Sequence, residues 1–320
     1  MNEHDLKTQS QLPSVMSLTY PFREYCFTDL ESEIVRQAFA SLQNKHQLYE
    51  DPTIPEQVVT AYVSHCGIPD SDPESIRIIT EFVALIMFFN DGEGPNRAAL
   101  IDESLKALLG MENARNASPS TSASAELRKK LAPYLAAAPA NAAAFLHCLA
   151  QTWLAGRWEA THLAQPPRTI DEYSTLRAHT IAVHAYLEAW KLLHEFPFET
   201  RARFAAPLHY LESLSTKAQY LANDLASTRR DMNRKQQNYV LLLAATGELD
   251  IEAAWQDVRA AHDQAAIDLD RGISALRSES QDAHLHKYLD QIQACTWGNL
   301  RGLQLLTNRY WHASERSAST

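Results

Sequence analysis

The chain is poor in glycine, nine residues in 320, and runs in which apolar and polar residues alternate are almost absent. The lack of alternation argues against strands. Its four cysteines (Cys26, Cys66, Cys148, Cys295) form no C-x-x-C pair. That excludes a zinc ribbon or a disulfide framework and predicts buried free thiols in a reducing compartment. No long basic run is present and the net charge is −10, which argues against nucleic acid or an anionic membrane as partner. There is no apolar run long enough to cross a bilayer and no signal-peptide pattern, so stable membrane insertion is not expected and the expected location is the cytoplasm. Despite 13 histidines there is no H-E-x-x-H and no zinc-spaced His/Cys cluster; a Gly-rich nucleotide loop and a G-x-S-x-G elbow are also missing.

What is present is a globular composition, 45% hydrophobic and 21% charged. From Tyr25 onward apolar residues recur at spacings of three and four, the helical period. Prolines such as Pro52, Pro69, Pro95, Pro166, Pro197 and Pro207 punctuate the periodic segments. The Ser/Ala stretch Asn116–Ser124 reads as a loop, and Ala132–Ala144, interrupted by Pro133 and Pro139, as helix–turn–helix. Residues 1–20 read as a loose polar tail and 313–320 as a frayed one. No repeat or composition shift divides the rest. The expectation is one all-α domain over 21–312, with ten or more helices around a core.

Four places in this helical frame carry chemistry. Asn223, Ser227 and Asp231 stand at i, i+4 and i+8, which stacks an amide, a hydroxyl and a carboxylate along one helix face, with Arg230 beside the last. Such oxygens suit a hard cation bearing a phosphate ester. The apolar stripe of Leu211, Leu214, Ala218, Leu221 and Leu225 lies roughly opposite, so periodicity alone reads the polar face as solvated. Upstream, Phe82–Phe89 is apolar at every position, and the helix then ends in Asn90-Asp91-Gly92-Glu93-Gly94-Pro95. Two carboxylates at a helix C-terminus oppose the dipole, a conflict that a bound divalent cation would resolve. The alternative is an exposed turn with solvated acids. A helix opened by the capping pattern Thr169-Ile-Asp-Glu172 carries Arg177 among apolar neighbours, where a buried guanidinium needs an anionic partner. Near the C-terminus stand Trp297-Gly298-Asn299 and Arg309-Tyr310, the latter able to donate to phosphate oxygens.

Together these elements resemble the class I terpene synthases over roughly residues 20–312. Asn223, Ser227 and Asp231 are similar to the family's N-D-x-x-S-x-x-x-E metal motif, with Asp for Glu. Asp91, three residues after Phe88, takes the register of the aspartate-rich motif, although Gly92 replaces its second Asp and Glu93 is the nearest further acid. Arg177, with Thr180 three residues on, takes the place of the diphosphate-sensing arginine, and Arg309-Tyr310 that of the closing pair. The tryptophan usual between Gly-Asn and Arg-Tyr is missing; Gly302 stands near its place, leaving a wider cavity or a longer last helix as readings.

The resemblance implies a helical bundle around an apolar cavity. Asp91, Glu93, Asn223, Ser227 and Asp231 would gather three Mg²⁺ ions on the diphosphate of an isoprenyl substrate. Arg177, Arg230, Arg309 and Tyr310 would grip that group, with Arg177, Arg309 and Tyr310 acting in catalysis. Ionisation and cyclisation of farnesyl diphosphate, with geranylgeranyl diphosphate next, to a terpene hydrocarbon or alcohol would follow. Phe88 and Phe89 are candidates for the cavity wall or, alternatively, for core packing. A chain-elongating prenyl synthase, a bundle that binds prenyl diphosphate without efficient turnover, and a helical interaction protein are the alternatives. A homodimer is the expected assembly.

Overall fold

The computed structural model describes residues 15–67, 71–91, 96–111, 117–161 and 169–305; the side chain of Asp91 lies outside the described part. Among the described residues there is no strand. They form a short 3-10 turn (Val15–Ser17) and thirteen α-helices. In chain order these are α1 (Asp29–His46), α2 (Thr53–Cys66), α3 (Pro73–Asp91), α4 (Arg97–Leu109), α5 (Pro119–Ala137), α6 (Pro139–Thr161) and α7 (Ile170–Thr180). They continue with α8 (Val183–Leu193), α9 (Phe198–Arg203), α10 (Ala205–Arg234), α11 (Tyr239–Gly247), α12 (Ile251–Glu279) and α13 (Ala283–Leu305). The all-α expectation holds.

Local chemistry sets the helix ends. Thr28 and Glu31 close a capping box at α1: Glu31 N–H donates to Thr28 Oγ1 at 3.3 Å, and Thr28 N–H to Glu31 Oε2 at 2.9 Å. Thr169 caps α7 as its sequence pattern predicts, accepting from Glu172 N–H at 3.1 Å. The expected loop at Asn116–Ser124 is corrected: Ser118 accepts from Thr121 N–H, Pro119 takes the first helical position, and α5 has begun. Proline is tolerated there because that N–H has no intrahelical acceptor. The small polar residues that suggested a loop instead form a buried face, where the Ser104 and Ser124 hydroxyls meet at 2.6 Å. The helix–turn–helix over 132–144 does occur, but the break is at Ala138, and Pro133 stays inside α5. Pro207 sits in the first turn of α10 rather than between elements.

The N-terminal segment is packed from Val15 onward, further upstream than its polar composition implied. Val15, Leu18 and Tyr20 are buried, Gln304 donates to the Leu18 carbonyl at 3.1 Å, and Trp297 Nε1 donates to the Phe22 carbonyl at 2.8 Å. Val15, Leu18 and Tyr20 are the residues that dock, while Met16 faces outward. All four cysteines are free thiols, but only Cys66 and Cys295 are buried; Cys26 is exposed and Cys148 half-buried.

Two contacts shape the centre. The apolar side of α10 packs on α12, and α2 lies antiparallel against α13 through two glycines one turn apart. A Cβ on Gly298 would fall 2.5 Å from the Cys66 backbone nitrogen, and one on Gly302 would fall 2.6 Å from the Tyr62 ring. Gly302 therefore does not widen a cavity. Its missing side chain admits Tyr62, and α13 runs on through it. Elsewhere in the core, buried Lys191 donates to Glu188 and Glu212, each at 2.7 Å, while Arg201 completes Glu188 at 2.8 Å and Tyr288 donates to Glu212 at 2.6 Å. Every charge in this cluster has a counter-charge, as burial demands.

Candidate active site

A cavity of about 800 Å³ opens between α2, α3, α6, α7, α8, α10 and α13, a size that can enclose a mid-sized organic ligand. Val63, Val83, Ile86, Met87 and Val183 supply an apolar stretch of its wall. Phe88 and Phe89 are not part of that wall. Phe88 lies edge-on to Tyr49 at 5.6 Å and Phe89 edge-on to Trp153 at 5.9 Å, which is the core-packing alternative.

Helix α10 brings Asn223 and Asp231 to this cavity, with Ser227 buried between them. The face that periodicity reads as solvated is thus enclosed, because α10 is covered on both sides. Ser227 Oγ donates to Asp231 Oδ2 at 2.5 Å. Asn238, just before α11, donates to the same Oδ2 at 2.9 Å and lies 3.2 Å from Ser227 Oγ. Arg230 Nε donates to the other carboxylate oxygen, Oδ1, at 2.9 Å. Among the described residues no three His, Cys, Asp or Glu side chains gather as a metal cluster, so any ion at α10 would be held by mixed oxygens. Amide, hydroxyl and carboxylate oxygens without sulfur or imidazole fit a hard divalent cation. These oxygens are engaged with protein donors, Asn223 Oδ1 with Arg177 and the Asp231 carboxylate with Ser227, Asn238 and Arg230, so an ion bound here would take the place of some of those contacts.

Asp91 is the last residue of α3, and its neighbour Asn90 lines the cavity, so this helix end borders the site. Glu93, Arg309 and Tyr310 lie outside the described residues.

Arg177 meets Asn223 directly. Its Nη2 donates to Asn223 Oδ1 at 2.8 Å, its Nε to Asp224 Oδ1 at 3.0 Å, and its Nη1 to Thr180 Oγ1 at 3.3 Å. The anionic partner that a buried arginine requires is Asp224. That carboxylate, 1% exposed, also accepts from Tyr173 OH at 2.6 Å and from the Tyr239 N–H at 3.0 Å. Burial pushes the Asp224 carboxyl above its ordinary range, against the pull of Arg177. Burial acts against the charge on Arg177 too, yet Asp224, Tyr173 and Glu159 outweigh it and raise the guanidinium's affinity for its proton. The guanidinium has five N–H donors in all.

Close to Arg177, Ala182 joins α7 to α8 with φ 64°, a left-handed backbone for a residue with a Cβ. That conformation costs about 1–2 kcal/mol, and strain of this kind often accompanies function. Glu159 on α6 also lines the cavity, 4.0 Å from Arg97. Burial pushes its carboxyl up, opposed by Arg177 and Arg97.

Asp224, Tyr173, Asn238, Glu159 and Arg97 were not singled out in the sequence. Asp224 is the fixed acid that follows Asn223 in the N-D-x-x-S-x-x-x-E pattern, but its position alone gives it no role. That fixed acidic position was the available signal, while its burial and its bond to Arg177 emerge only from the fold. The others have none, because their partners are distant in the chain.

Residues 88–267 match the model of the terpene synthase family 2, C-terminal metal-binding domain. No curated protein matches the chain. Among solved structures, germacradien-4-ol synthase from Streptomyces citricolor superposes with a TM-score of 0.73 at 18% identity, over 92% of this chain and 100% of that one. Hedycaryol synthase in complex with HEPES gives 0.71 at 18% identity, over 95% and 99%. A variant of the SVS_A2 protein from ancestral sequence reconstruction gives 0.78 at 15% identity, over 92% and 89%. At such identities the structures speak for the fold, while the family model covers more than half of the chain and spans both α3's acidic end and the Asn223–Asp231 face. The chain belongs to the terpene synthase family.

Proposed function

We propose that this terpene synthase is a Mg²⁺-dependent cyclase of a linear isoprenyl diphosphate, farnesyl diphosphate first and geranylgeranyl diphosphate next. The observation that carries the reading is the junction of Arg177 with Asn223 and Asp224 at the cavity, which ties the candidate diphosphate grip to the candidate metal face. Asn223, Ser227 and Asp231 would hold metal from α10, and Asp91 and Glu93 from the opposite side, for three ions in all. When bound, Mg²⁺ neutralises charge developing on the departing diphosphate.

The protein's own groups do the rest. Arg177 and Arg230, with Arg309 and Tyr310, orient the diphosphate by charged hydrogen bonds that strengthen as the C–O bond breaks. The apolar wall from Val63 to Val183 excludes bulk water and folds the chain so that its alkenes reach the cation. The paired-aspartate chemistry of chain elongation finds less support, because the second motif is Asn/Ser/Asp. The reading is tested by incubating the protein with C10, C15 and C20 diphosphates and Mg²⁺, measuring diphosphate release and volatile products. Activity should vanish with chelator, return with Mg²⁺, and be abolished by Asn223→Ala or Asp91→Ala. Undiminished turnover in both variants would overturn the site.

A further inference from the structure

Among the arginines that line the cavity, Arg177 and Arg230 are tied to carboxylates, to Asp224 at 3.0 Å and to Asp231 at 2.9 Å. Arg97 is not. Among the described residues its one ion-pair contact is Glu159 Oε2 at 4.0 Å, too long for a hydrogen bond. Its side chain is 14% exposed, and Nε is sealed off without a partner. The Nη groups, which carry four of the guanidinium's five N–H donors, are the part of the head that stays accessible, and they make no hydrogen bond to a described residue. Arg97 also stands at the wrong end of its helix. It is the first residue of α4, where the dipole disfavours a cation, and no acid in that first turn answers it.

Position decides what the free donors can meet. Arg97 follows Asp91, the last residue of α3, by six positions. Arg97, Asn90 and Thr180 line a small recess beside the main cavity, and Thr180 Oγ1 accepts from Arg177 Nη1 at 3.3 Å. Arg97 and Asn90 line the main cavity as well. The guanidinium therefore lies between the acidic end of α3 and Arg177, the two places between which the cyclase reading seats the diphosphate. A largely buried guanidinium without an acceptor is costly, and its planar pair of N–H donors matches two phosphate oxygens.

We propose that Arg97 is a further contact to the diphosphate, its Nη groups donating to phosphate oxygens while the loose approach to Glu159 is given up. The inference rests on the cyclase reading given above and adds to it a grip from α4. No bond is made or broken at Arg97. It touches the leaving group and stabilises the charge that grows there as the C–O bond breaks. Glu159 is not stranded by the exchange, because Arg177 acts on the same carboxylate.

The experiment is binding of inorganic diphosphate to the full chain in saturating Mg²⁺, measured by isothermal titration calorimetry, beside turnover of farnesyl and geranylgeranyl diphosphates read by diphosphate release. Arg97→Met, of similar length but without charge or donors, should weaken diphosphate binding about tenfold to a hundredfold, the equivalent of one charged hydrogen bond. The ratio kcat/KM should fall by a similar factor. Glu159→Gln, which removes the competing carboxylate, should bind diphosphate at least as tightly as the wild type. A purely structural ion pair would instead make both variants lose alike. If Arg97→Met does not fold, Arg97→Gln, which keeps N–H donors without the charge, carries the comparison with a loss of about tenfold. Unchanged affinity in the folded Arg97 variant, or equal losses in the Arg97 and Glu159 variants, overturns the assignment and leaves the cyclase reading standing. Wild-type protein that neither binds inorganic diphosphate nor releases it from any isoprenyl diphosphate overturns both.

Discussion

Asp224 is the residue on which the geometry of the site makes the sharpest demand. Its two oxygens take three donors: Oδ1 accepts from Arg177, and Oδ2 from Tyr173 OH and the Tyr239 N–H. In Asp224→Asn one oxygen becomes an NH₂ group. Facing Oδ1's partner it meets a guanidinium N–H, and facing Oδ2's it meets a backbone N–H, so either orientation sets donor against donor. The charge of Arg177 is also left without its counter-ion. Breaking one side of a buried ion pair costs about 3–5 kcal/mol, and with about 2 °C lost per kcal/mol in a chain of this size the melting temperature should fall by roughly 6–10 °C. Thermal unfolding followed by circular dichroism measures it. The double variant Asp224→Leu/Arg177→Met, which removes both charges at similar volume, should recover at least half of the loss. A melting temperature for Asp224→Asn within about one degree of the wild type would refute the reasoning, because the drop expected from the same pair is several times larger.

Three further outcomes follow from other parts of the molecule. Burial beside Trp190, with ring centroids 4.4 Å apart, pushes the His194 imidazole down to about 4. Its folded-state affinity for a proton is thus below that of the unfolded chain, so stability from keeping it neutral is present above the ordinary histidine range near 6.5. It is lost as pH falls toward 4, by at most about 3 kcal/mol. His194→Phe should flatten the melting curve's pH dependence across that window, and an identical slope would count against the assignment. At the α2–α13 contact, Gly298→Ala should be more damaging than Gly302→Ala, since its Cβ meets Cys66 backbone whereas that of Gly302 meets the Tyr62 ring. Overpacking of this kind costs about 1–3 kcal/mol, and equal melting temperatures for the two would contradict the packing described. Lys191→Met should lower stability by about 3–5 kcal/mol in denaturant titration, because Glu188 and Glu212 would face each other without the buried ammonium; a loss below about 1 kcal/mol, the worth of an exposed pair, would mean that the cluster is effectively solvated.

The sequence by itself determined the helices and the chemistry carried on any one of them. Helical period, scarce glycine and caps such as Thr169 are local properties, and the Asn223/Ser227/Asp231 spacing becomes a row on one face wherever a helix forms. Its misreadings were local as well: the Ser/Ala stretch before Ser124 looked like a loop because small polar residues resemble turn composition, although there they pack as a buried face. Only the tertiary structure decided which side of α10 is enclosed, that Asp224 rather than solvent answers Arg177, and that Tyr62 fills the space left by Gly302. Those facts depend on contacts between residues such as Arg177 and Asp224, or Tyr62 and Gly302, that lie on different helices. Helical periodicity cannot tell a polar stripe that meets water from one that meets a cavity, because it specifies the direction of a side chain about its own axis and not what stands opposite.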